Sequence, residues 1–185
     1  MTDHLREETI DSSLAFQGRL LRLRVDTVRL PDGNTSTREV VVHPGAVAMV
    51  PLLDPEHVLL VRQWRHPAGC ALLEIPAGTL GAGEDPRDCA ARELMEEVGY
   101  RPHAIKLLSS IFLAPGYSSE CLHLFLAEDL SPERMAHDED ETIDVVCLNW
   151  HEIETLISNG EIRDAKTLAG LLLAKKYCEG RLNGG

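Results

Sequence analysis

The chain has 185 residues, 44% apolar and 26% charged, enough to bury a core and too mixed in composition for a disordered or fibrous chain. Its 18 Lys and Arg against 30 Asp and Glu leave a formal net charge of −12 with no strong local basic run, which argues against a nucleic-acid partner. Charged residues break up the N-terminus at Asp3, Arg6, Glu7, Glu8 and Asp11, and no later apolar run approaches membrane-spanning length, so a soluble, cytoplasmic protein without a membrane partner is expected.

In chain order, Leu21, Leu23 and Val25 alternate with Arg22, Arg24 and Asp26, a period of two that predicts a half-buried strand continuing to Leu30. Pro31-Asp32-Gly33-Asn34 then supplies turn chemistry. Runs rich in β-formers follow at 38–43, 46–53 and 57–65, the last two joined by Asp54-Pro55-Glu56, and together they suggest antiparallel pairing. Further strand-like runs occupy 72–75, 105–112, 121–127 and 143–150.

Three segments read as helices. In the first, Asp85 suits the N-cap, Pro86 the first helical position and Gly99 the C-terminal end, with Ala91, Leu94 and Val98 as the apolar stripe. The second spans 151–159 and stops at Gly160. The third spans 164–178, with Leu168, Leu171 and Leu172 on one face and Gly180 beyond its end. Without an internal repeat or a linker, one α+β domain over 1–185 is the simplest organisation. The five cysteines, Cys70, Cys89, Cys121, Cys147 and Cys178, are odd in number, widely spaced and never in a C-x-x-C pair, which predicts buried reduced thiols.

The chemistry concentrates in the first helix, where Arg92-Glu93-Leu94-Met95-Glu96-Glu97 puts three carboxylates at i, i+3 and i+4 on one face. Like charges at this spacing repel, and anions in the last turns oppose the helix macrodipole. Something cationic over that face would offset both effects. Carboxylates without His or Cys select a hard ion, and Mg2+ is usual where phosphate oxygens complete the shell. Taken alone, such a run is an ordinary solvated face neutralised by an Arg92–Glu96 pair.

Its setting changes that reading. Gly78, Glu84 and Arg92-Glu93-Leu94-Met95-Glu96-Glu97-Val98-Gly99-Tyr100 match G-x5-E-x7-R-E-U-x-E-E-x-G-U at every fixed position, U being a bulky apolar residue, and here the chain resembles the Nudix hydrolase family. The resemblance implies the family's fold, a mixed β-sheet sandwiched between helices (α/β/α), and its reaction, hydrolysis of a nucleoside diphosphate linked to another group. It implies Mg2+, with Mn2+ as the alternative ion. By position, Glu93 and Glu97 match the metal-binding glutamates, Glu96 matches an additional ligand or base, and Ala77 matches a residue whose carbonyl joins the site. Glu84 and Arg92 match a pair that orients the ligands, while Gly78 and Gly99 match backbone necessities.

A base must also deprotonate the attacking water, and the acidic loop Asp138-Glu139-Asp140-Glu141 is the candidate, with Glu139 and Glu141 as the alternatives. Pro115 stands at the distance from Tyr100 at which the ADP-ribose pyrophosphatase subgroup carries proline, and Ala114-Pro115-Gly116-Tyr117-Ser118-Ser119-Glu120 is similar to that subgroup's S-P-G-x-x-x-E, with alanine replacing the serine. The segments at 38–47, 61–65, 74–78 and 160–167 are similar as well. By that analogy Arg65 contacts substrate phosphates, Arg38 and Glu39 reach the nucleotide, and Pro115 and Gly116 line the site.

The implied substrate is ADP-ribose, with GDP-mannose, another sugar nucleotide or a dinucleoside polyphosphate as alternatives, the last because of Tyr117. A homodimer that uses the N-terminal strands of 1–45 is implied too. A non-catalytic nucleotide-sugar sensor is the competing class, and the intact box argues against it.

Overall fold

A computed structural model describes residues 3–136 and 142–182. The chain divides into two compact units, the first made of residues up to Gly45 with Phe112–Cys121, the second of Ala46–Ile111 with the residues from Leu122 onward.

The first unit is a three-stranded antiparallel sheet of β1 (Glu8–Gln17), β2 (Arg22–Arg29) and β3 (Thr35–Val42), with β2 in the middle. Two turn residues set the register of β2 against β3: Asp32 accepts the Asn34 N–H at 2.9 Å, and Gly33 takes a left-handed φ of 87°. Asp26 is buried in β2, where Ser12 donates to it at 2.6 Å and Arg24 at 3.0 Å. The 114–118 turn joins this unit through β3, since Val41 N–H donates to the Tyr117 carbonyl at 2.8 Å.

The second unit holds β4 (Ala46–Pro51), β5 (His57–Arg65), β6 (Cys70–Glu74), β7 (Ala77–Thr79), α1 (Pro86–Glu97), β8 (Tyr100–Phe112), β9 (Cys121–Pro132), β10 (Ile143–Asn149), α2 (Trp150–Ser158) and α3 (Ala165–Leu182). A mixed sheet runs β7-β4-β9-β8, with β4 parallel to β9 and antiparallel to β7. A second, antiparallel sheet runs β10-β5-β6.

Every residue of β4 is buried, as a strand covered on both faces requires. Val47 and Met49 meet Cys89, Ala90 and Leu94 of α1, together with Phe125 and Ala127 of β9. On the opposite face, a Cβ added at Gly170 of α3 would lie 2.7 Å from Ile75, 3.3 Å from Val50 and 3.6 Å from Leu124. The mixed sheet is therefore held between α1 and α3, the α/β/α sandwich expected from the resemblance.

Some details differ from the sequence reading. β4 and β5 do not form a hairpin ladder: the Leu52–Val58 bridge and the Leu53 N–H donating to the His57 carbonyl at 2.9 Å link the chain just past β4 to β5, and the two strands enter different sheets, because an all-apolar β4 is stable in the middle of a sheet. The buried positions of α1 centre on Ala90, Leu94 and Val98, while Ala91 is half-buried. On α3 the close approach at Gly170 turns Leu171 and Ala174 inward and leaves Leu172 61% exposed. The helix also runs through Gly180 rather than ending before it. Cys89 is buried, but Cys70, Cys121 and Cys178 are half-buried and Cys147 is exposed, so only one thiol is the buried group expected; all five are free.

Candidate active site

Helix α1 begins where the sequence signals place it. Asp85 accepts the Arg87 N–H at 2.8 Å, Pro86 follows, and Gly99 closes the helix with a φ of 81°. This fixes the azimuth of Glu93, Glu96 and Glu97.

The edge strand β7, too short to be read from sequence, supplies the opposite wall. Val47 of β4 faces Gly78 in register, which holds the β7 backbone against α1. A Cβ at Gly78 would fall 1.9 Å from the Glu93 carboxyl carbon, so the position admits only glycine while Glu93 keeps this place. One residue earlier, the Ala77 N–H donates to Glu97 Oε2 at 3.1 Å, and Glu97 is buried.

Arg92 gathers the acidic groups. Its Nη1 lies 2.8 Å from both Glu93 Oε1 and Glu96 Oε2, while Nε and Nη2 donate to the two oxygens of Glu84 at 3.0 and 3.2 Å. The Gly81 N–H adds a bond to Glu84 at 2.8 Å. The Arg92 hydrogen bonds, then that of Gly81, bring the Glu84 carboxyl down to about 2, and Glu84 in turn raises the Arg92 value. Burial, followed by the hydrogen bond with Glu84, pushes the Cys89 thiol up to about 12, so that thiol stays protonated beneath the cluster.

A second network, centred on Glu74, was not assigned a role from sequence. This carboxylate is 1% exposed and receives Arg65 Nε at 2.9 Å, Arg65 Nη2 at 2.8 Å and the Lys166 ammonium. Burial opposes its ionisation, but the Arg65 and Lys166 contacts outweigh that and hold its carboxyl below the usual value. Lys166 also donates to Asp164 at 2.9 Å, Asp164 accepts the Thr167 N–H at 3.0 Å, and Thr167 Oγ1 accepts from the Ile75 N–H at 2.9 Å. The start of α3 is thereby fastened to the β6–β7 corner that leads to Ala77. The polar residues Asp164, Lys166 and Thr167 were the available signal, but their partner at Glu74 lies far away in sequence.

The remaining sequence candidates fall as follows. Arg65 is in the second unit with two of its nitrogens engaged by Glu74. Arg38 and Glu39 are on β3 of the first unit, where Arg38 pairs with Glu7 and Glu39 is exposed opposite Val25. Pro115 and Gly116 are exposed in the 114–118 turn of that unit. Glu139 and Glu141 lie outside the described residues.

Glu93, Glu96 and Glu97 form an all-oxygen donor set beside a glycine-lined wall, and by donor type they fit a hard divalent ion. Among the described residues no three His, Cys, Asp or Glu side chains are already drawn together in a coordination cluster, and Arg92 holds Glu93 and Glu96 from its own side.

Comparison with known proteins gives the family and the fold. A sequence profile of the NUDIX domain matches residues 42–171, and one described as the nucleoside diphosphate sugar hydrolase N-terminal domain matches residues 7–41. The chain is 43% identical over 164 residues to a methanol dehydrogenase activator of Bacillus methanolicus, covering 88% of this chain and 89% of that one. It is 40% identical over 165 residues to an ADP-ribose pyrophosphatase of Bacillus subtilis (strain 168), with the same coverage of each. A crystal structure of an ADP compounds hydrolase matches with a TM-score of 0.86 over 95% of this chain and 96% of that one, at 24% identity, a likeness of fold.

Proposed function

The chain belongs to the Nudix family of hydrolases, and from that premise we propose that it cleaves the pyrophosphate bond of a nucleoside diphosphate sugar in the cytoplasm, with ADP-ribose as substrate and Mg2+ as cofactor. The observation that carries this reading is the wall formed by Gly78 and Ala77 against Glu93 and Glu97, because it sets an all-oxygen donor group on a rigid helix. The match of the N-terminal strands to a nucleoside diphosphate sugar hydrolase profile, and the ADP-ribose pyrophosphatase relative, support the substrate class.

When bound, the divalent ion neutralises the diphosphate and lowers the pKa of water. Glu93, Glu97 and the Ala77 carbonyl hold it, with Glu96 as a further ligand. Glu84 acts through Arg92 to keep Glu93 and Glu96 in register. Arg65, steadied by Glu74, presents its remaining nitrogen to a substrate phosphate, and for Arg38, Glu39, Pro115 and Gly116 the likeness to the subgroup's motifs supports a role toward the nucleotide. Glu141 or Glu139 removes the proton of the attacking water. The water oxygen joins phosphorus as the anhydride bond breaks, giving AMP and ribose 5-phosphate.

The working unit in this proposal is a homodimer formed through the first unit. All ten residues of β1 are exposed, including Ile10 at 47%, Leu14 at 51% and Phe16 at 56%, more apolar surface than one strand keeps in water without a cover. Light scattering should report a dimer, and Leu14→Asp with Phe16→Asp should convert it to monomer.

Anion-exchange analysis of products tests the activity, using purified protein with Mg2+ and a panel of ADP-ribose, GDP-mannose, diadenosine polyphosphates and NADH. AMP and ribose 5-phosphate from ADP-ribose, abolished by Glu97→Gln, is the expected result. Preferential turnover of another panel member would replace the substrate, and binding of ADP-ribose without cleavage would make the protein a sensor.

A further inference from the structure

Away from the carboxylate cluster, β8 and α3 enclose an open groove of about 530 Å³ in the second unit. It is lined by Leu107 and Leu108 of β8 and Leu173 of α3, with Leu108 on the strand face that Lys106 shares toward α3, and by the cationic Lys106, Lys176 and Arg181. In a chain with formal net charge −12, Lys106 and Lys176 beside one apolar surface are a local concentration of positive charge.

The cations are held in place rather than loosely displayed. The Lys106 ammonium donates to Tyr177 Oη at 2.9 Å and sits 4.1 Å from the centre of that ring, and the Arg181 guanidinium carbon lies 5.7 Å from the same centre. Glu128 neutralises Arg181 through contacts of 2.8 and 3.0 Å. Lys106 and Lys176 carry the uncompensated charge: among the described residues neither has a carboxylate within 4.0 Å.

We propose that this groove docks an acidic segment of another protein, one that interleaves Asp or Glu with Leu-like side chains. Leucines with a cationic rim have the anatomy of a protein interface, an apolar centre inside a charged border. A second copy meeting the groove about a two-fold axis would set Lys106 and Lys176 against the same lysines, a like-charge arrangement that costs affinity. Nucleic acid is repelled by the rest of the surface.

The test is an NMR titration of the full-length 15N-labelled protein with a short synthetic peptide of alternating Glu and Leu, beside a Lys-Leu control peptide and AMP. Amide shifts confined to 106–108 and 173–181, given by the Glu-Leu peptide alone and weakened about tenfold or more by Lys176→Glu, are expected. The paired variant Lys106→Gln/Lys176→Gln, checked by its melting curve, should act in the same direction without reversing charge. The proposal falls if those amides do not respond, if Lys176→Glu leaves the affinity unchanged, or if AMP rather than the peptide saturates them.

Discussion

Gly78 is the residue on which the position of Glu93 depends. Gly78→Ala would place a carbon 1.9 Å from the Glu93 carboxyl carbon, so the carboxylate must move; kcat should fall on the order of a hundredfold, with far-UV circular dichroism unchanged. Glu74 makes a different kind of prediction. Its folded value is depressed below the ordinary 4.5, so its contribution to stability is in place above that pH and is lost as pH falls through the folded value. Urea unfolding across that range should show the loss in the native protein and a shallower dependence in Glu74→Gln. Lys166→Met, which removes one of the two cations on this buried carboxylate, should cost on the order of 3 kcal/mol at neutral pH by the same assay. Spacing within one helix was sufficient to place Glu93, Glu96 and Glu97 on a common face. The Glu74 network was not legible that way, because its partners stand 9 and 92 residues away and no local pattern links them.

At the scale of elements, both ends of α1 were readable, whereas the C-terminal end and the inward face of α3 were not. Asp85, Pro86 and Gly99 bound α1 through local backbone chemistry, which a sequence displays directly. Asp85→Ala should therefore cost about 1 kcal/mol in urea unfolding, through loss of the 2.8 Å cap bond. The inward face of α3 was misjudged at Leu172 because a close helix–sheet contact at Gly170 outweighs the count of leucines. Gly170→Leu should overpack Ile75 and Val50 and destabilise by about 1–3 kcal/mol, seen as a lower melting temperature. Strand β7 escaped notice for another reason: three residues are too few to show a period, yet the backbone of each meets the carboxylate helix, Ala77 at Glu97, Gly78 at Glu93 and Thr79 at Cys89.

For the whole molecule, the mixed sheet depends on one pairing of distant segments, β4 with β9, in which Ala46 lies beside Leu122 and Pro51 beside Ala127. Such a pairing imposes an order in time. Loop closure must be met before a parallel contact stabilises anything, which slows folding. A chain emerging from the ribosome would release β4, β7 and all of α1 before any of β9. Until then Met49 and Leu94 lack Phe125, the side chain that completes their shared core. A chain ended at residue 120 should accordingly show no cooperative melt, and the complete chain should gain its activity in refolding experiments only in the slow phase that forms the β4–β9 ladder. Glu93, Glu96 and Glu97 would thus be synthesised early and reach their folded surroundings late.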